Sequence, residues 1–171
     1  GIEQILVVTG LEHMGDVVNL LGSGKDFGCK FTYKVQDEAG GIAQALALAE
    51  NFSAGDPVAV ILGDNVFQAD LKPYAENYMA QKNGARLLLK QVPDPNRFGV
   101  GEIDGKNVIN IEEKPQKPKS DYAVTGIYFY DAAVFDIIKT LKPSGRGELE
   151  ITDINNNYIR KNQLECQILE R

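Results

Sequence analysis

The sequence has 171 residues, of which 43% are hydrophobic and 25% charged, a composition typical of one soluble globular domain spanning residues 1–171. Its net charge of −6, from 18 basic and 24 acidic residues, argues against a nucleic-acid partner, which needs a basic surface. No apolar run approaches the roughly 20 residues of a transmembrane helix, and the first residues do not resemble a signal peptide. We therefore expect a cytoplasmic protein with no membrane partner. The cysteines, Cys29 and Cys166, match no zinc motif and predict reduced, buried thiols.

The first half of the chain alternates predicted strands and helices. Apolar runs predict strands at 4–9, 31–35, 57–62 and 85–92, and helical spacing or composition predicts helices at 14–21, 42–50 and 70–82. The run at 4–9 is nearly continuous, which predicts a strand buried on both faces, and the run at 57–62 predicts another buried strand. We therefore expect an α/β fold with a Rossmann-like, mostly parallel sheet and helices on both faces.

The second half has a different pattern. Strands predicted at 99–104, 108–113 and 122–130 follow one another with little helix between them, which indicates antiparallel additions to the sheet. Helices at 131–141 and 153–161 and a last strand at 164–169 complete the predicted elements.

Candidate chemistry lies after the buried strands, because ligands of open α/β sheets bind beyond the carboxyl ends of the strands. Asp64 follows the strand at 57–62, and a carboxylate there can hold Mg²⁺ together with phosphate oxygens. Gly63, Asp64 and Asn65 are also common turn residues, so the pattern alone leaves a metal ligand and a simple turn equally favoured.

Two further segments carry candidate binding residues. Gln36 and the pair Gly40-Gly41 open a helix, where glycine lets a backbone approach a ligand, although a helix-entry turn explains them better on pattern alone. Glu113 and Lys114 close a strand ahead of a proline, where they can bind a sugar hydroxyl and a phosphate, or form a solvated charge cluster.

Two other features are set aside. Residues 22–25 read Gly-Ser-Gly-Lys but lack the leading glycine of a P-loop and do not join a strand to a helix. His13 is the single histidine, so no histidine-based triad or histidine-rich metal site is possible.

Taken in order, six segments closely resemble the glucose-1-phosphate thymidylyltransferase family, within the sugar-1-phosphate nucleotidylyltransferases. The resemblance covers essentially the whole chain, and six motifs in the family's order are strong evidence although each alone is weak. The segments are Gln36-x4-Gly41-Ile42-Ala43-Gln44-Ala45, residues 62–65 (LGDN), residues 94–100 (DPNRFGV), residues 111–115 (IEEKP), residues 122–131 (YAVTGIYFYD) and residues 147–153 (GELEITD).

The resemblance implies nucleotidyl transfer from dTTP to glucose 1-phosphate, with dTDP-glucose and pyrophosphate as products, Mg²⁺ as cofactor and a homo-oligomer. It also implies a role for each candidate residue. Asp64 is expected to bind Mg²⁺ and Lys114 to hold the sugar phosphate, and both are expected to be catalytic. The other implied contacts are Gln36, Gly41 and Asn65 on the nucleotide side, and Gly99, Glu113, Val124 and Tyr128 on the sugar side.

Two parts of the family pattern do not occur in the sequence. These are the G-G-x-G-T-R-L loop with its nearby lysine, which grips the triphosphate, and the W-L-D-T-G stretch with the second metal carboxylate. We therefore expect a domain that is incomplete at both ends and inactive by itself. The alternatives are a non-catalytic, sugar-nucleotide-binding regulatory paralogue and a uridylyltransferase of the same fold. A glycosyltransferase is disfavoured because residues 64–66 read Asp-Asn-Val instead of Asp-x-Asp.

Overall fold

A computed structural model describes residues 2–105 and 107–169 of the chain. Its main elements follow one another in this order: β1 (Gln4–Gly10), α1 (Met14–Leu21), β2 (Lys30–Gln36), α2 (Ile42–Ala47), α3 (Glu50–Ser53), β3 (Val58–Ile61), α4 (Lys72–Ala80), β4 (Ala85–Gln91), β5 (Gly99–Asp104), β6 (Asn107–Glu113), β7 (Tyr122–Tyr130), α5 (Ala133–Thr140), α6 (Ile151–Arg160) and β8 (Leu164–Ile168). Each predicted strand and helix has a counterpart. Three 3₁₀ turns, at Leu11–His13, Lys25–Phe27 and Pro95–Arg97, were not predicted.

The chain divides into two compact units. The first unit contains Gly1–Gly55 and Lys142–Glu150, and the second contains Asp56–Leu141 and Ile151–Arg171. The single domain expected from the length stays a prediction.

In the first unit, β1 and β2 form a parallel two-stranded sheet, from Gln4 opposite Lys30 to Gly10 opposite Gln36. The prediction that the run at 4–9 is buried on both faces is wrong, because residues 5–9 are only partly buried and Gln4 is exposed. Within the described part of the chain, β1 pairs with β2 alone, so its apolar side chains receive incomplete cover.

The predicted helix at 42–50 is broken into α2 and α3. The Lys34 ammonium donates a hydrogen bond of 2.7 Å to the carbonyl oxygen of Leu48. In an uninterrupted helix that oxygen would accept from the amide four residues later. A contact from a distant strand therefore accompanies the break in a segment whose composition favours helix.

In the second unit, β7 is the central strand. Along one edge it pairs antiparallel with β4 over both halves of its length. Along the other edge it pairs antiparallel with β5 near its start and with β3 near its end. Since β8 is parallel to β4, strands β3, β4, β5 and β8 share one direction, and β7 runs against them.

The sheet of the second unit carries packed side chains on both faces. One face packs against α4 through a buried cluster that includes Tyr74, Tyr78, Leu88, Ile127 and Phe129. The opposite face carries Tyr128 and Tyr130, which stack on each other, and Tyr130 stacks in turn on Tyr158 of α6. The predicted α/β class, with parallel strands and antiparallel additions, is confirmed.

The strand β3 is less buried than its sequence suggests. Ile61 is 51% exposed, and alternate residues of β3 face solvent. The prediction that the run at 57–62 is a buried strand is therefore wrong for its exposed residues. Within the described residues β3 pairs only with β7, so one edge and one face of this strand receive little cover.

The Asp131 carboxylate joins three elements of the second unit. It accepts hydrogen bonds from the amides of Gly84 (2.6 Å) and Ala133 (3.2 Å) and from the Tyr158 hydroxyl (2.7 Å).

We expect Asp131→Ala to lower the free energy of unfolding by about 2–3 kcal/mol, because it removes charge-assisted bonds from partly buried donors. Urea denaturation measures this loss. In Asp136→Ala, which removes only an exposed ion pair with Lys139, the change should stay within about 0.5 kcal/mol. Equal losses in both variants would contradict this role for Asp131.

Both cysteines are free and half-buried, so the expectation of fully buried thiols is corrected to partial burial. Burial raises the pKa of the Cys166 thiol to about 12. The positive charge of Arg86 lowers this pKa, and the negative charge of Glu165 raises it by a smaller amount. The Cys166 thiol is therefore protonated, and unreactive as a nucleophile, at neutral pH.

Among the helices of the described residues, none has the length and apolar character needed to cross a membrane.

Candidate functional site

Strands β5 and β3 pair with different parts of the same edge of β7, and a short stretch of β7 lies between them. Val100 of β5 pairs with Ala123, and Ile61 of β3 pairs with Ile127. Residues 124–126 therefore lie between the beginning of β5 and the end of β3. The predicted sugar-side and metal residues come from the segments that border this stretch.

Three of these residues come from neighbouring positions of β6, β5 and β7. Glu113 pairs directly with Gly99. The next residue of β5, Val100, pairs with Ala123, which precedes Val124. A Cβ atom on Gly99 would lie only 3.3 Å from Glu113 Oε2, so glycine leaves the space that this carboxylate occupies.

The Glu113 carboxylate is oriented by the first turn of α6. The Thr152 hydroxyl donates a hydrogen bond of 2.9 Å to Glu113 Oε2, and the Thr152 residue is only 6% exposed. A buried hydroxyl that cannot move freely holds the carboxylate in one orientation. The Glu113 carboxylate is therefore a hydrogen-bond acceptor in a fixed orientation, beside Gly99, which has no side chain.

Lys114 follows Glu113 in an unusual backbone conformation. Its φ of 45° lies in the left-handed region, which costs a residue with a side chain roughly 1–2 kcal/mol. The Lys114 amide donates to the carbonyl oxygen of Phe98 (2.9 Å), and the following Pro115 is buried. Such strain persists only where the surroundings enforce it, and it is concentrated at functional sites. The exposed Lys114 side chain therefore starts from a fixed backbone position.

Asp64 and Asn65 lie in the loop that follows β3. The Leu62 amide donates to the carbonyl oxygen of Gly126, which extends the contact with β7 beyond the strand itself (2.8 Å). The Asn65 amide nitrogen donates to Asp64 Oδ1 (2.7 Å), and the Gly126 amide donates to Asn65 Oδ1 (3.2 Å). The exposed Asp64 carboxylate thus reaches solvent from an anchored loop.

Tyr128 belongs to β7 and lies on the face of the sheet opposite α4. The residue is 4% exposed, and burial raises the pKa of its hydroxyl well above the usual value. The negative charges of Glu113 and then Asp64 add smaller increases to this pKa. The Tyr128 hydroxyl therefore remains protonated at neutral pH.

The predicted nucleotide residues Gln36 and Gly41 lie in the first unit. The Gln36 amide nitrogen donates to the carbonyl oxygen of Gly41 (3.1 Å) and to Gln44 Oε1 (2.7 Å). Gly41 has a φ of 94°, and a Cβ atom there would lie 2.5 Å from the Leu149 carbonyl oxygen. Only glycine fits this position, and the contacts fix the loop between β2 and α2.

Sequence analysis did not assign roles to several residues that support these sites. Thr152 lies in the segment 147–153, which was noted for its family resemblance only, and Gly126 lies in the segment 122–131. Gln44, which holds Gln36, lies in the segment that begins at Gln36. Their roles depend on contacts between distant parts of the chain, and the spacing of residues does not report such contacts.

The mixed α/β architecture is that of the nucleotide-sugar transferase class. The chain belongs to the nucleotidyl transferase family, whose pattern it matches over residues 1–171.

The chain is also similar to individual members of this class. It is 46% identical to a glucose-1-phosphate thymidylyltransferase of Neisseria meningitidis, over 100% of this chain and 60% of that protein. It is 42% identical to a glucose-1-phosphate thymidylyltransferase of an Actinoplanes species, over 100% of this chain and 57% of that protein. The chain therefore spans about 60% of the length of the curated relatives that it matches.

Solved structures show the same relationship. A Bacillus anthracis structure in complex with a sucrose, assigned as a glucose-1-phosphate thymidylyltransferase, superposes with a TM-score of 0.92 at 59% identity. That superposition covers 97% of this chain and 68% of the other. A UDP-glucose pyrophosphorylase complexed with UDP-glucose shares the fold with a TM-score of 0.81 at 23% identity, covering 98% of this chain and 73% of the other.

Proposed function

We propose that this protein transfers a thymidylyl group from dTTP to glucose 1-phosphate, with dTDP-glucose and pyrophosphate as products. The observation that carries the proposal is the pairing of Glu113 with Gly99, beside the Val100–Ala123 pair that precedes Val124, with Lys114 directly after Glu113. A carboxylate, a glycine backbone and an ammonium group in this order suit a sugar that bears hydroxyls and one phosphate.

In the proposed reaction, a phosphate oxygen of glucose 1-phosphate bonds to the α-phosphorus of dTTP, while the bond to the leaving pyrophosphate breaks. Both reactants are anions, so the protein contributes mainly positioning and charge compensation. Lys114 would pair with the sugar phosphate, and Glu113 would accept a hydrogen bond from a sugar hydroxyl. Tyr128 would line the sugar pocket with its protonated hydroxyl.

Asp64 is the proposed Mg²⁺ ligand. Among the described residues its one hydrogen-bond partner is Asn65, which engages a single carboxylate oxygen. A single exposed carboxylate suits Mg²⁺, which commonly takes one or two carboxylates and completes its shell with phosphate oxygens and water. Bound there, Mg²⁺ would neutralise phosphate charge beside Asn65.

Gln36 and Gly41 are the residues proposed to contact the base. Both hydrogens of the Gln36 side-chain amide are used in bonds to the Gly41 carbonyl oxygen and to Gln44 of α2, which leaves the Gln36 side-chain oxygen as an acceptor. An acceptor fits the imide N–H of thymine, and it fits uracil equally well. Gly41 would allow close approach of the backbone. Homo-oligomerisation, a cytoplasmic location and inactivity of the chain by itself stay predictions.

Calorimetric titration with glucose 1-phosphate, with and without dTTP and Mg²⁺, tests the proposal. We expect saturable binding of the sugar phosphate, and heat of turnover in the full-length protein only when Mg²⁺ and dTTP are also present. Binding of the nucleotide sugar without any turnover in the full-length protein would favour the regulatory paralogue. Equal turnover with UTP would favour the uridylyltransferase. Absence of any binding would contradict all three.

A threonine substitution tests the orientation of Glu113. In Thr152→Val the volume is kept but the hydrogen bond to Glu113 is lost. We expect the Kd for glucose 1-phosphate to rise roughly five- to tenfold, which corresponds to about 1 kcal/mol. Thr152→Ser should restore binding because the hydroxyl returns. Thr140→Val, which removes a hydrogen bond within α5, is the control. An unchanged Kd in Thr152→Val would exclude this role.

A further inference from the structure

We infer that Asn65 is a positioning residue for Asp64, and that it can lie in this place only because residue 126 is glycine. The inference rests on the proposed role of Asp64 as a metal ligand, and it concerns how the loop after β3 presents that carboxylate.

The orientation of the Asn65 amide follows from its partners. The Gly126 backbone amide can only donate, so the atom of Asn65 that faces it at 3.2 Å must be the carbonyl oxygen. The amide nitrogen is then directed to Asp64 Oδ1, at 2.7 Å. Asn65 therefore connects the Asp64 carboxylate to the backbone of the central strand β7.

Gly126 makes this arrangement possible. A Cβ atom at residue 126 would lie 2.5 Å from Asn65 Nδ2, 2.6 Å from its Cγ and 2.7 Å from its Oδ1. These distances are far below a van der Waals contact, so any side chain at residue 126 would displace the Asn65 amide. Gly126 is buried and Asn65 is only partly buried, so the side-chain amide of Asn65 is the group that would move.

The expected consequence is that the two Asp64 carboxylate oxygens have different roles. Oδ1 is occupied by the Asn65 donor, and Oδ2 has no partner among the residues that the structure describes. A carboxylate held in this way presents one oxygen to a small hard cation in one orientation. Groups that orient a metal ligand commonly contribute 10- to 100-fold to metal affinity.

A double-mutant cycle with two readouts tests the inference. Asn65→Ala, Gly126→Ala and the double variant are compared for Mn²⁺ binding by electron paramagnetic resonance and for the midpoint of urea unfolding. We expect each single variant to weaken Mn²⁺ binding by roughly 10- to 100-fold, and the double variant to be no weaker than Asn65→Ala. Gly126→Ala should lower the unfolding midpoint in the native background. In the Asn65→Ala background, Gly126→Ala should hardly change the midpoint, because the Asn65 amide atoms that the new Cβ would contact are absent.

Gln68→Ala, an exposed amide in the same loop, is the matched control and should change neither readout. If both single variants bind Mn²⁺ within twofold of the unmodified chain, or if their effects simply add, the positioning role is overturned while the proposed function stands. If the unmodified full-length protein binds no Mn²⁺ in the presence of dTTP, Asp64 is not a metal ligand, and the proposed metal role and this inference are overturned together.

Discussion

Asp64→Ala should abolish Mg²⁺-dependent release of pyrophosphate by the full-length protein and leave its fold intact. Asp64 is exposed and extends from a loop anchored by Leu62 and Asn65, so few packing contacts are lost. A metal ion contributes several kcal/mol of charge stabilisation to such a reaction, which predicts a fall in kcat on the order of 10³-fold at 1.36 kcal/mol per decade.

A coupled pyrophosphate assay gives the rate, and the urea midpoint reports the fold. Asp104→Ala removes an exposed carboxylate at the end of β5 and should keep full activity. Activity in Asp64→Ala equal to that of Asp104→Ala would remove Asp64 from the site. A large fall in the urea midpoint would instead show that Asp64 supports the fold.

Lys114→Gly should change stability and binding in opposite directions. Glycine adopts the left-handed conformation of residue 114 without the cost that a side chain incurs, although it also gains freedom in the unfolded chain. We expect the free energy of unfolding to rise by up to about 1 kcal/mol. The loss of the ammonium group should weaken binding of glucose 1-phosphate by about 10- to 100-fold, the contribution of a charge-assisted hydrogen bond.

Lys82 provides a matched control because it also has a left-handed backbone, with a φ of 73°, and is exposed after α4. Lys82→Gly should gain a similar amount of stability and leave binding unchanged. Calorimetry and urea denaturation on both variants separate the two effects. If Lys114→Gly binds glucose 1-phosphate as tightly as Lys82→Gly, Lys114 does not hold the phosphate.

The order and type of the elements could be predicted from the sequence because periodicity and composition are local properties. The predicted helix at 14–21 and the predicted strand at 122–130 coincide with α1 and β7 at both ends. The break between α2 and α3 could not be predicted, since it coincides with a bond from Lys34, fourteen residues before Leu48.

Burial was less predictable than secondary structure. The apolar runs of β1 and β3 show that these residues favour burial on both faces, but coverage depends on which neighbours pack against them. Each of these strands has a single partner strand within the described residues. Strand β4, whose sequence is no more apolar, is buried along most of its length because it lies between β7 and β8.

The residues of the candidate site could be named from the sequence, but the contacts that hold them in place could not. The pattern around Asp64 was evenly divided between a metal ligand and a turn, and the family resemblance supplied the preference. The structure adds an arrangement that no spacing indicates: Glu113 and Gly99 are fourteen residues apart in the chain and paired across the sheet, and the neighbouring Val100 pairs with Ala123, which precedes Val124. Thr152 and Gly126 were missed because their contacts exist only in the folded chain.

The most direct test of the proposed reaction is a ³¹P NMR measurement on the full-length protein with Mg²⁺, dTTP and glucose 1-phosphate. We predict that the triphosphate and sugar phosphate signals decline together as signals of pyrophosphate and a nucleoside diphosphate sugar appear. Release of orthophosphate alone, or no change over many hours at high enzyme concentration, would contradict nucleotidyl transfer as the function of this protein.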